Sequence, residues 1–338
     1  MTTQTQPGRM KHLITIGFCA DVGGRGFHLP NSIALRSDGR IYVMSRSSQA
    51  HPLGTRMGMC DLNDEFYGEF GSRGTGDGQF IGPTDIAFDS SDRLFLADEQ
   101  LNRITIYDAD GNFLEKWGTP GNEPGQISGP SGLAFDSRDT LYITDQWNHR
   151  VQKFTPDGNY LGGWGERGNG DGQFNMPWGI TVDNEDDVYV GDWRNDRIQK
   201  FTSEGEHLLT FGTPGRDEGQ LDRPADVTVG PNGTIYVADW GNQRVQAFDP
   251  EGGFLQLLRG EATMTRWGRE YLDANDDESR ARESYKPYID VDALTPHEAS
   301  ARVEPYFWNP IGVETDSEGR LYVADAARHR FQVYEPAK

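Results

Sequence analysis

Cysteine is nearly absent from this 338-residue chain: Cys19 and Cys60 are the only two. No disulfide framework can hold a fold of this size together, and the count fits a reducing compartment. Long hydrophobic runs are missing as well, since no apolar stretch approaches the roughly 20 residues needed to span a bilayer. The opening Met1-Thr2-Thr3-Gln4-Thr5-Gln6-Pro7-Gly8 lacks the basic and apolar blocks of an export signal. The expectation is a soluble, cytoplasmic protein. Positive charge is scarce too, with 32 basic against 53 acidic side chains and a net charge of −21. Such a surface repels phosphate backbones and anionic lipid heads, so neither nucleic acid nor a membrane is expected as a partner. What the chain has in quantity is glycine, 42 residues, and proline, 18, alongside 11 % aromatics. That mixture describes short strands joined by tight turns.

A proline recurs at Pro30, Pro83, Pro130, Pro177, Pro224 and Pro310, at intervals of 53, 47, 47, 47 and 86 residues. Each opens a similar stretch holding four short apolar segments. In the third copy these are residues 133–135, 141–144, 151–154 and 160–164, separated by turn-formers such as Asp157-Gly158. Segments of this length, rich in β-branched and aromatic residues, are strands in hairpins. Four antiparallel strands per repeat, arrayed around an axis, make a propeller blade. Helical repeats of similar period need apolar residues three and four apart over long stretches, and the copies lack that pattern.

The sixth copy stops after three strands. At the other end of the chain, Lys11-His12-Leu13-Ile14-Thr15-Ile16-Gly17 matches a fourth strand such as residues 159–165. The N-terminal strand is therefore expected to complete the last blade and leave no open sheet edge. The fold class predicted is an all-β, six-bladed propeller forming a single domain over 1–338. A partly helical insertion over 261–307, lid or cap, interrupts it between blades 5 and 6.

The run Asp145-Gln146-Trp147-Asn148-His149-Arg150-Val151-Gln152, preceded by Pro130-Ser131-Gly132-Leu133-Ala134-Phe135-Asp136, resembles the NHL repeat. All six copies carry a version of it, and together they cover nearly everything outside 261–307. The resemblance implies the propeller fold. It is unspecific for function, because NHL propellers include an amidating lyase, RNA-binding modules, sensors and scaffolds. In the amidating lyase, histidines directly after the repeat prolines hold zinc. Here those positions are Asn31, Thr84, Ser131, Trp178, Ala225 and Ile311, so that three-histidine pattern is absent and this lyase activity is not expected. RNA binding would need a basic face with aromatic platforms, and the overall acidity opposes it.

The six copies act as an internal control. A residue present in nearly every blade holds blades together; one that breaks the pattern is a better functional candidate. Arg56, Arg103, Arg150, Arg197, Arg244 and Arg330 begin the third strands. Asp98, Asp145, Asp192, Asp239 and Asp325 end the second, with Ser45 in their place in blade 1. These read as structural ion pairs. Residues 108–112 look like the start of a calcium loop but align with hairpin turns and lack the closing glutamate. The glycine-rich stretches 74–78 and 168–172 have no following helix and read as blade connections, not phosphate loops. Cys60 aligns with Phe154 and reads as a core thiol.

Both departures from the 47-residue period map to the face carrying the inter-blade loops. Blade 1 has a longer loop between Ser45 and Arg56, including Arg46 and His51, and the second departure is 261–307. Within the latter, Thr295-Pro296-His297-Glu298 is a helix-start signature, 273–283 is rich in helix formers, and Tyr271, Tyr285, Tyr288, Tyr306, Phe307 and Trp308 call for burial. Asn31, Thr84, Ser131 and Trp178 should point into the channel as substrate-binding positions. Trp147, Trp193, Trp240, Arg46 and Arg194 should add to the same site from the loops. Asp85, Asp226, Glu314, His149 and His329 are the candidate proton-transfer groups. For the two histidines a loop hydrogen bond is the competing reading, and for each tryptophan packing under a loop.

Two functions of different class follow. In the first, which the sequence favours slightly, the chain is a small-molecule lyase or hydrolase at the channel mouth. There Asn31, Asp85, Asp226 and Glu314 would hold calcium or another divalent cation through oxygen, and a carboxylate or histidine would move the proton. In the alternative, a non-catalytic scaffold receives a peptide or protein on its tryptophan-rich face.

Overall fold

The computed structural model describes residues 9–20, 22–47, 49–285 and 289–337. Six four-stranded antiparallel sheets form the blades. Blade 1 runs through Pro30–Leu35, Ile41–Ser45, Arg56–Cys60 and Phe66–Phe70, and blade 3 through Pro130–Phe135, Leu141–Asp145, Arg150–Phe154 and Tyr160–Trp164. Blades 2, 4 and 5 repeat this order. In blade 6 the strands Pro310–Thr315, Leu321–Asp325 and Arg330–Pro336 come from the end of the chain, and Met10–Ile16 is the outer strand. That outer strand pairs antiparallel with Arg330–Pro336, Ile16 opposite Phe331 and Met10 opposite Pro336. The ring is closed by chain ends that are distant in sequence, as the repeat count requires.

The apolar core is six wedges, one between each pair of adjacent blades. Between blades 3 and 4, for example, Tyr142 and Val151 meet Phe174, Val190 and Phe201. Cys60 belongs to the blade 6–blade 1 wedge, where burial pushes its thiol well up. Both faces of the second strands are covered, which is why Leu94–Asp98, Leu141–Asp145 and Val188–Asp192 are buried throughout and largely apolar up to the closing aspartate rather than alternating.

Polar residues clamp the loops over these wedges. In blades 3 to 6 the arginine opening the third strand pairs with the aspartate ending the second: Arg150–Asp145 2.9 Å, Arg197–Asp192 2.8 Å, Arg244–Asp239 2.6 Å and Arg330–Asp325 2.8 Å. The same guanidinium donates to carbonyls of the preceding inter-blade loop, Arg150 to Asn122, Glu123 and Gln126. Arg103 keeps the carbonyl contacts, to Thr75, Gly76 and Gln79, without an ion pair to Asp98 among the described residues. In blade 1, where serine replaces aspartate, Arg56 turns to Glu69 at 2.7 Å.

A second clasp links neighbours. The residue before the repeat proline is left-handed at Leu29, Gly129, Met176, Arg223 and Asn309, and its N–H is taken by a side chain from the preceding blade. The acceptors are His329 for Leu29, Asn102 for Gly129, His149 for Met176, Asp196 for Arg223 and Gln243 for Asn309, at 2.7–3.1 Å.

The insertion contains helices α1 (Arg266–Asp273), α2 (Asp276–Ser284) and α3 (Pro296–Arg302). Thr295 caps α3 in a full capping box with Glu298, as its sequence predicts. Helix α1 docks on the seam between blades 6 and 1. Its Trp267 is 2 % exposed, packs on Phe27 and Phe66, and donates Nε1–H to the Asp64 carbonyl at 2.9 Å. Helix α3 lies beside the Trp240–Asn242 turn of blade 5, and Arg328 of blade 6 donates to its Ser300 carbonyl. Helix α2 buries no residue. Of the aromatics expected to be buried, Phe307 is, whereas Tyr285 is 75 % exposed; Tyr288 lies outside the described residues. No helix is long and apolar enough to cross a membrane.

Candidate functional site

Strand one of each blade lines the channel, and its two halves build different spaces. The first halves contribute Asn31, Thr84, Ser131, Trp178, Ala225 and Ile311, all six of the positions after the prolines, to a neck with a cavity of only about 10 Å³. The second halves surround a larger cavity of about 240 Å³. The usable volume therefore lies toward the end of the channel remote from the inter-blade loops.

The neck is narrow because its polar side chains are spent on neighbouring blades. Inner strands of a propeller do not pair with each other, so their backbone groups need side-chain partners. Asn31 donates to the Thr84 carbonyl at 2.8 Å, Thr84 to the Pro130 carbonyl at 2.8 Å, and Ser131 to the Pro177 carbonyl at 3.0 Å. Asp85 accepts from Ser32 at 2.6 Å and from the Leu133 amide at 2.7 Å, and Asp226 from the Val313 amide at 2.8 Å. These are straps from blade to blade.

Asp85, Asp226 and Glu314 all line the larger cavity, and among the described residues no Lys, Arg or His lines it. Each is partly exposed, lining this cavity. Burial drives Asp85 up to about 6 and Glu314 up to about 7, with the Asp85 charge adding to the latter. Asp226 is driven up by burial and then by Asp85. The three do not converge on a single point, however. Among the described residues, the one set of three His, Cys, Asp or Glu side chains whose ligand atoms all lie within 4.8 Å of one another is Cys19, His28 and His329. Asn31 is in the neck, its amide committed to Thr84.

His149 and His329 each accept a backbone N–H on Nδ1, from Met176 at 3.0 Å and Leu29 at 3.1 Å. Both are part of the repeating clasp, where Asn, Asp or Gln serves in other blades. Burial, followed by the charge of Arg167, lowers the His149 pKa, consistent with a neutral acceptor.

On the loop face the structure joins three tryptophans into a row. Trp178 at the neck meets Trp193 at 6.1 Å between ring centroids, and Trp193 meets Trp240 at 6.5 Å. The guanidinium of Arg194 lies 5.4 Å from the Trp193 ring and that of Arg223 4.8 Å from Trp240. Arg223 is also paired with Asp222, while Arg194 is exposed and has no carboxylate partner among the described residues. Trp147 stands apart, 56 % exposed and resting against Gly129, where a Cβ would come within 2.1 Å of it. Arg46 pairs with Glu99, which also accepts from Gln146 at 3.0 Å. Trp308, with Arg328 at 5.3 Å and His297 of α3 at 6.1 Å, extends the aromatic surface into blade 6. The sequence assigned Trp308 to burial within the insertion; its departure from His28, Ile81, Ser128, Asn175 and Asp222 at the equivalent positions was the signal that could have found it.

Six closed blades, an inter-blade clasp and a channel strapped by polar side chains define a six-bladed β-propeller. The NHL repeat matches residues 128–154, 174–201, 221–248 and 307–334, four of the six blades; the protein is an NHL-repeat propeller. No curated protein matches the sequence. Among solved structures, a catalytically inactive variant of virginiamycin B lyase from Staphylococcus aureus with quinupristin is similar at 13 % identity and a TM-score of 0.59, covering 97 % of this chain and 99 % of that one. A protein of unknown function from Bacteroides thetaiotaomicron is similar at 16 % identity and a TM-score of 0.62, covering 96 % and 75 %. A streptogramin B lyase aligns at 13 % identity and a TM-score of 0.55. At these identities the likeness is one of fold.

Proposed function

We propose that this propeller is a binding protein whose loop face receives an extended peptide segment of a partner protein. The carrying observation is the contiguous Trp178–Trp193–Trp240 row. Its rings are half-buried, so each has a wall behind it and a face or edge toward solvent. Indoles in such a row offer large apolar contact at low entropic cost, and aromatic-lined surfaces suit proline and aromatic side chains of extended chains. Arg194 adds an uncompensated cation that would select an acidic residue on the peptide, and α3 borders the row at Trp240. The test is an array of acidic, proline- and aromatic-containing decapeptides probed with the wild-type protein and with Trp193→Ala. Peptides enriched on the wild type should weaken by about 2 kcal/mol, some 30-fold, in the variant. Equal binding by both proteins would refute this reading.

A second reading, a small-molecule lyase or hydrolase, is favoured by the raised carboxyl groups around the 240 Å³ cavity. Glu314, near half-protonation at neutral pH, suits a proton donor, with an ionised neighbour as base. Virginiamycin B lyase provides a precedent for lyase chemistry on this fold. A divalent cation such as calcium would bridge the carboxylates only through water or after they move closer.

A further inference from the structure

Blade 1 breaks the repeat at several places, and the breaks meet at one point. Its second strand ends in Ser45 rather than aspartate, and Ser45 Oγ accepts the His28 N–H at 3.2 Å, a bond the aspartate makes in the other blades. His28 stands where they have Ile81, Ser128, Asn175, Asp222 and Trp308. Cys19 sits on the same inter-blade loop, its backbone bridged to Phe27. His329 arrives from blade 6. The ligand atoms of Cys19, His28 and His329 all lie within 4.8 Å of one another, and the two imidazole rings are 5.2 Å apart. The enlarged blade 1 loop supports the cluster: a Cβ at Gly54 would come within 2.8 Å of the His28 ring, and His51 stacks on that ring at 5.6 Å.

We propose that Cys19, His28 and His329 form a binding site for a zinc-class divalent ion on the seam where the ring closes. One thiolate and two imidazoles are a borderline donor set, suited to zinc rather than calcium or magnesium. Tetrahedral bonds of about 2.0–2.3 Å place ligand atoms roughly 3.4–3.8 Å apart, so contraction by about 1 Å closes the site. Three protein ligands leave a fourth position for water or an incoming group. Binding converts the Cys19 thiol to a metal-bound thiolate and releases its proton to solvent. The net charge of −21 favours recruitment of the cation. One competing demand is at His329, whose Nδ1 already accepts the Leu29 amide at 3.1 Å. Coordination through Nδ1 displaces that hydrogen bond, and coordination through Nε2 moves the ring proton to Nδ1 with the same result. The ion therefore loosens the Leu29 clasp as it ties the blades together.

The test uses untagged full-length protein titrated with zinc by calorimetry, and with cobalt for its thiolate charge-transfer band. The two histidine variants borrow side chains that other blades carry at the same positions. Cys19→Ser removes the sulfur, and His28→Asn copies Asn175. His329→Gln copies Gln243, which accepts the equivalent amide at 2.8 Å, so the clasp survives while the imidazole is lost. The wild type should bind one zinc ion with proton release and faster exchange of the Leu29 amide, and each variant should bind at least about tenfold more weakly. Absence of stoichiometric binding by the wild type, or an affinity unchanged in Cys19→Ser and His329→Gln, overturns the proposal.

Discussion

Replacing Glu314 by glutamine should stabilise this protein at alkaline pH and do little in acid. A carboxyl group whose pKa is raised on folding holds its proton more tightly in the folded chain than in the unfolded one. The stability it contributes is whole below the unfolded pKa and drains away as pH rises through the folded value. For Glu314 the window runs from 4.5 to about 7. Across it the folded state loses ~3 kcal/mol. Glutamine cannot ionise, yet its carbonyl oxygen still accepts the Thr315 amide now bound at 2.8 Å. With an unfolding entropy of about 2.1 cal/mol/K per residue, this chain loses ~0.7 kcal/mol per degree, so ~3 kcal/mol corresponds to a gain near 5 °C at pH 8.5. At pH 5 little of the window has been crossed, and the gain should shrink to ~1 °C. Thermal melts of both proteins at the two pH values provide the assay. Taking the difference between variant and wild type cancels groups remote from Glu314, such as Asp61 and Asp108, which hydrogen bonds hold low despite the opposing effect of burial. A gain of equal size at both pH values, or none at pH 8.5, would refute the reasoning that burial in the channel drives this carboxyl upward.

Removing residues 1–17 deletes the outer strand of blade 6 and exposes the edge of Arg330–Pro336; melting should fall by more than 10 °C or lose cooperativity, as circular dichroism would show. An unchanged midpoint would be incompatible with ring closure by this strand. His149→Gln should be close to neutral, because Asn, Asp and Gln accept the same amide elsewhere, whereas His149→Ala orphans the Met176 N–H and should cost about 1–3 kcal/mol, or some 1–4 °C in melting temperature. Equal melting temperatures for the two variants would remove His149 from the clasp.

The blades, their number, the closing strand and the helix at Thr295 were legible in the sequence because each depends on local pattern and on repetition. A 47-residue period brings equivalent residues to equivalent places, so comparing copies assigned the arginine–aspartate pairs of blades 3 to 6, although the same comparison also implied an Arg103–Asp98 pair that the structure does not show among the described residues. The positions after the prolines were likewise placed around the channel by symmetry alone. Symmetry could not say how far each side chain reaches. That Asn31, Thr84 and Ser131 spend their polar atoms on the next blade, leaving a narrow neck and moving the open volume to the other end, depends on distances between inner strands that no pattern encodes.

The cluster of Cys19, His28 and His329 joins residues from opposite ends of the chain. It exists only because ring closure sets blade 6 beside blade 1. The insertion shows the same division. Its third helix carried a capping signal that is local, whereas α1 is fixed by Trp267 reaching a wedge built from the first and last blades. Local chemistry chose the elements of this protein; closure of the ring chose which of its irregular residues would meet.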